Sequence, residues 1–149
     1  MSEIEDCFRK KLLGKVPPSN KKAEKSLALA ESYLEESRKT AAAGARKISI
    51  NGAYMVWFHA ARSVLFRDGV REKSHYCIEI YLEKYVKSGD LEGKWTTLFS
   101  RIRNQRHENQ YGFGPEPTDQ EVASAIESAA LFLERIRALL VDTNAEDRG

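Results

Sequence analysis

The run RIRNQRHENQYGFG, residues 101–114, places Arg101, Arg103, Asn104, Arg106, His107 and Tyr111 close together in the chain. A guanidinium forks onto phosphate oxygens, and an imidazole exchanges a proton near neutral pH. On a helix, residues four apart share a face, so Arg103, His107 and Tyr111 form one row, with Asn104 and Arg106 to either side. A fixed cation, a titratable ring and a phenol in one line are parts for holding a phosphate or cleaving a phosphodiester. The same composition suits the solvated end of a surface helix, where Arg and His favour the macrodipole. What positions the run decides between the two.

The periodicities that surround it are helical, and no strand period is visible. A short charged segment over about 3–13 stops at Gly14 and VPPSN, where Ser19 or Asn20 can cap the next helix. That helix carries an apolar stripe of Ala23, Leu27, Ala30, Tyr33 and Leu34 and ends near Gly44. The stretch 46–67 is apolar over most of its circumference, which predicts a central helix. Ser74 can cap a helix bearing Cys77, Ile78, Tyr81, Leu82 and Tyr85. Another helix starts near Leu91 and carries Trp95, Leu98, Phe99 and Ile102 into the Arg/His run. After GFGPEP, Thr118 and Glu121 form a T-x-x-E capping box, and Val122, Ile126, Ala129, Leu133, Ile136 and Leu140 mark the last helix. The expectation is an all-α protein: an up-down-type four-helix bundle with a short extra N-terminal helix. Residues 1–18 form the N-terminal extension, 19–141 the bundle, and 142–149 a polar tail.

A chain of 149 residues suits one domain. A net charge of +2 argues against a polybasic nucleic-acid binder but permits a local basic site. The lysines at 10, 11, 15, 21, 22 and 25 read as solvated surface. Cys7 and Cys77 lack ligand spacing and predict two reduced thiols. The acidic N-terminus has no secretory apolar core, and no run reaches the ~20 apolar residues of a membrane span, so a cytoplasmic protein without membrane contact is expected. No phosphate loop, dinucleotide fingerprint or zinc motif is present, and neither a metal nor a cofactor is implied. His59, between Trp57, Phe58 and two alanines, reads as a buried structural ring, and His75 as helix-start structure. His107 stands apart because its neighbours from Asn104 to Gln110 are all polar.

KAEKSLALAESYLEES, INGAYMVWFHAARSVLFRDG and KSHYCIEIYLEKYVKSGDL, followed by an Arg-rich segment with His and Tyr-Gly, together resemble the HEPN-domain family over residues 20–140. The resemblance implies a helical bundle found in prokaryotic toxins and partners of nucleotidyltransferases. It also implies metal-independent endoribonuclease activity at a dimer interface. The family signature is Arg, then a polar residue such as Asn, then His after four to six intervening residues. Here Arg103-Asn104 supplies the pair, with three residues before His107; Arg101 has the longer spacing but is followed by Ile102. On a straight helix Arg101 and His107 lie about 240° apart, which makes Arg103 the geometric partner. Tyr111 follows His107 by four residues, whereas the tyrosine modified by partner nucleotidyltransferases follows by two.

The resulting expectation is a homodimeric ribonuclease, the toxin of a toxin–antitoxin pair, with Arg103, Asn104 and His107 catalytic and Arg101, Arg106 and Tyr111 contacting RNA. The alternative is a non-catalytic module that binds a nucleotide or a small nucleotidyltransferase antitoxin. A purely structural helical adaptor is the third reading.

Overall fold

A computed structural model describes residues 2–148, with side chains to 144. It is a bundle of six helices: α1 (Glu3–Arg9), α2 (Asn20–Ala42), α3 (Arg46–Asp68), α4 (His75–Lys87), α5 (Gly93–Tyr111) and α6 (Asp119–Arg148). The four long helices are α2, α3, α5 and α6. Of the polar tail expected over 142–149, α6 takes in all but Gly149, which lies outside the described residues.

Helix starts follow their caps. Ser19, rather than Asn20, accepts from the Lys22 amide at 3.1 Å, and Ser74 accepts from the Cys77 amide at 3.2 Å. Thr118 and Glu121 exchange hydrogen bonds of 3.0 and 3.1 Å, the reciprocal geometry of a capping box. Gly69 closes α3 in the left-handed conformation at φ 79°, and an added Cβ there would lie 2.6 Å from the Val16 carbonyl oxygen.

Two expectations are corrected. The first concerns strands: Leu13–Lys15 (β1) and Val70–Glu72 (β2) pair antiparallel, Gly14 opposite Arg71. Three residues are too few to show an alternation, and the turn at Gly69 creates the pairing by reversing the chain. The N-terminal helix accordingly stops at Arg9, with Lys11 at φ 61°. The second concerns the thiols: Cys7 of α1 and Cys77 in the first turn of α4 form a disulfide, their Cα atoms 6.0 Å apart. A separation of 70 residues hides this pairing from sequence spacing.

Helix α3 is the hub. Its buried residues, among them Ile50, Tyr54, Val56, Trp57, Ala60, Ala61, Ser63 and Leu65, cover more than half of its circumference, and α2, α4, α5 and α6 pack on them. Trp57 stacks on Phe132 at 4.0 Å and meets Phe99 at 5.5 Å. The side of α2 facing α3 uses small residues, Ala23, Ser26, Ala30 and Ser37. Gly52 completes that close approach, since a Cβ there would lie 2.3 Å from Ser37 Oγ.

His59 is 7% exposed and stacks on Tyr33 at 5.5 Å, the structural ring expected from its neighbours. Burial, with Arg62 adding to it, pushes its pKa down from 6.5 to about 4. The folded ring is neutral, so the unfolded chain binds the extra proton as the pH falls below about 6.5. Stability is therefore whole above that pH and is lost progressively down towards about 4. Unfolding free energies from urea at pH 7 and pH 5 should differ by about 1–2 kcal/mol more in the wild type than in His59→Phe; an equal pH dependence in the two would place His59 outside the acid transition. Serine at both Cys7 and Cys77 should lower unfolding stability by about 2–4 kcal/mol, as should reductant on the wild type. Midpoints insensitive to reductant would mean the two sulfurs are unbonded in solution.

Candidate functional site

Helix α5 buries Trp95, Thr96, Phe99 and Ile102 and then loses its apolar face. Its last two turns extend along the N-terminal half of α3 and past the first turn of α4. Gly112 ends the helix, and its amide donates to the Glu108 carbonyl at 2.8 Å.

The six residues singled out in the sequence separate into three environments. Arg103 points into the α4–α5 seam, where its Nε donates to Glu79 Oε2 at 2.5 Å and its guanidinium lies 5.7 Å from the Tyr76 ring centre. Glu79 is 4% exposed. Burial raises its pKa, while Arg103 and a hydrogen bond from Ser100 oppose the rise. Arg106 lies over the Tyr54 ring at 4.7 Å, with Nη1 donating to Gln110 at 2.7 Å. His107, Asn104 and Arg101 are exposed, and none forms an ion pair or side-chain hydrogen bond among the described residues. The His107 ring packs on Tyr111 at 5.1 Å, and Tyr111 is itself 64% exposed. Arg103, His107 and Tyr111 thus share the expected row, and Arg101 points elsewhere around the helix.

Tertiary packing adds residues that periodicity assigned to structure alone. His75, the first residue of α4, has Nδ1 2.6 Å from the hydroxyl of Tyr54, and its ring lies 4.5 Å from that of Phe58. Burial lowers its pKa, Arg106 and Arg103 push the same way, and Glu72 opposes them. Ser74 as N-cap was the available cue to its position, but nothing in the sequence pairs α4 with Arg106. Asn109 reaches back to α3, donating to the Lys47 carbonyl at 3.0 Å and to Asn51 Oδ1 at 3.3 Å. Beside it a cavity of about 250 Å³ is lined by Lys47, Gln105, Glu108, Asn109 and Pro115.

A larger cavity, about 600 Å³, lies at the opposite end of α3 among Arg67, Asp68, Tyr81, Lys84 and Tyr85. Four of its polar side chains, Arg67, Asp68, Tyr81 and Tyr85, satisfy one another. Arg67 Nε donates to Asp68 at 3.0 Å and Nη2 to the Tyr85 hydroxyl at 2.8 Å, while Tyr81 donates to Asp68 at 2.7 Å. That network ties α3 to α4 and α6.

Removing Arg103 should leave the Glu79 carboxylate buried without its partner. Arg103→Ala is expected to cost about 3 kcal/mol, most of it recovered in Arg103→Ala/Glu79→Leu, where neither charge remains. Thermal or urea unfolding of both variants tests this; equal stability of the single variant and the wild type would show that the pair carries no weight.

Comparison with known proteins bears on the same segment. The family model described as HEPN domain matches residues 23–139, which takes in all of α3, α4 and α5 and most of α2 and α6. A candidate toxin of Methanocaldococcus jannaschii is 29% identical over 89 residues, covering 59% of this chain and 66% of that protein. Among the described residues no helix is long and apolar enough to cross a membrane.

Proposed function

The chain belongs to the HEPN family, and from that membership we propose that it is a metal-independent endoribonuclease acting as a homodimer, the toxin half of a toxin–antitoxin pair. The observation that carries this reading is the exposed face of α5, where His107 has no competing hydrogen-bond or ion-pair partner among the described residues and Arg103 lies one turn before it, anchored on Glu79.

The chemistry required is transesterification. The ribose 2′-oxygen attacks phosphorus and gives up its proton, the bond to the 5′-oxygen breaks, and that oxygen takes a proton. The products are a 2′,3′-cyclic phosphate and a 5′-hydroxyl. One neutral imidazole accepts the first proton and one protonated imidazole donates the second. A two-fold pair of His107 residues supplies both. Arg103 and its copy stabilise the charge that grows on the phosphorane oxygens, and Asn104 orients the phosphate. Arg101 and Tyr111 contact the flanking RNA. The exposed aromatic residues Tyr111 and Phe113 beside His107 suit a face covered by a second protomer.

A second reading keeps the site and removes the turnover: a module that binds a nucleotide or a small nucleotidyltransferase antitoxin. It is favoured by the short spacing from Arg103 to His107 and by the engagement of Arg103 with Glu79, which leaves that guanidinium partly committed.

Pure protein in EDTA should cut transfer RNA or an unstructured RNA into discrete products ending in cyclic phosphate. His107→Ala should lower the rate by about 10²–10⁴-fold without altering helicity. Arg103→Ala/Glu79→Leu should be impaired while remaining folded. Near-wild-type cleavage by His107→Ala would overturn the assignment, and binding without cleavage by the wild type would select the second reading.

A further inference from the structure

The α4–α5 seam contains several acids and bases, and almost every charge there is answered. Glu79 is taken by Arg103 at 2.5 Å. Glu72 on β2 is taken by Arg62 at 2.9 Å. Glu3 accepts from the Tyr76 hydroxyl at 2.5 Å. Arg106 has no such partner: among the described residues it makes no ion pair, and its buried Nε has no acceptor. Its hydrogen bonds go to neutral groups, the Gln110 amide at 2.7 Å and the Tyr54 phenol. A cation in this state, half-buried against the Tyr54 ring, has lost hydration and gained no counter-charge.

His75 lies beside it. The Tyr54 hydroxyl, on a residue 1% exposed, meets His75 Nδ1 at 2.6 Å. Burial pushes the Tyr54 phenol up to about 12, so it keeps its proton and donates it. Nδ1 is then the acceptor, and the hydrogen of the neutral ring sits on Nε2. Phe58 and Tyr54 hold the ring plane, at 4.5 and 5.8 Å between centres. The result is an oriented N–H donor on an exposed side chain next to an unanswered guanidinium, both organised by one tyrosine.

We infer that His75 Nε2–H and Arg106 together bind a phosphodiester of the RNA strand, at a point separate from the one Arg103 and His107 act on. The proposal rests on the ribonuclease reading only for the identity of the strand. It makes His75 a positioning residue: it holds a neighbouring phosphate and transfers no proton. The strand then passes from the exposed face of α5 across to the first turn of α4.

The test uses full-length protein and a 2′-O-methyl oligonucleotide, which has no 2′-hydroxyl to react, with affinity read by fluorescence anisotropy. His75→Ala and Arg106→Ala should each weaken binding about five- to twenty-fold. His75→Gln, which returns an N–H donor, should restore part of the loss. Arg106→Ala should lower the salt slope of log K by about 0.7, and His75→Ala should leave it unchanged because the ring is neutral. On cleavable RNA, His75→Ala should raise KM with kcat near wild type, whereas His107→Ala should lower kcat.

Wild-type affinity in a folded His75→Ala variant overturns the inference and leaves the ribonuclease reading standing. Loss of binding in both variants, with no cleavage by the wild type, supports the phosphate site and overturns the ribonuclease. A wild type that binds no RNA overturns both.

Discussion

The structure depends on the burial of α3 around most of its circumference. A helix apolar around most of its circumference cannot lie on a surface, and water is excluded only when other helices enclose it. Trp57, flat against Phe132 at 4.0 Å and near Phe99, joins α3 to α6 and α5 in one aromatic cluster. Because α5 is held by its first turns, through Trp95, Phe99 and Ile102, its polar end is carried past the first turn of α4. The candidate site is a consequence of where that packing stops.

Electrostatics then divides three similar arginines into three roles. Arg103 meets a buried carboxylate and is fixed in direction. Arg106 meets an aromatic face and an amide and keeps its charge uncompensated. Arg101 stays in solvent. A low-dielectric seam makes the first two interactions stronger than their surface equivalents and makes an unanswered charge expensive, so an anion arriving there gains from both. Asp68 and Arg67 illustrate the opposite outcome at the far end of α3, where two tyrosines and a threonine complete the network.

The N-terminal extension is attached at two points that frame the same helix. The β1–β2 pair joins it to the segment just before α4, and the Cys7–Cys77 bond joins α1 to the first turn of α4. That turn also carries His75 and Tyr76, and Glu79 follows one turn later. Residues 2–18 therefore brace the helix that orients Arg103, whereas Arg106 is placed by Tyr54 of α3 and Gln110 of its own helix.

The helices, their caps and the central place of α3 were legible in the sequence because each rests on local spacing. Ser19, Ser74 and the Thr118–Glu121 box act within one turn, and the apolar period reports burial directly. The row of Arg103, His107 and Tyr111 was legible for the same reason, since a helix places residues four apart on one face. The two short strands and the disulfide were not, because neither three-residue pairing nor a 70-residue separation leaves a periodic trace. Nor could spacing reveal that Glu79 answers Arg103, that Tyr54 orients His75, or that Arg106 is left without a counter-charge. Those facts depend on how side chains from three helices meet in a medium that screens charge poorly, and only the tertiary structure brings the three together.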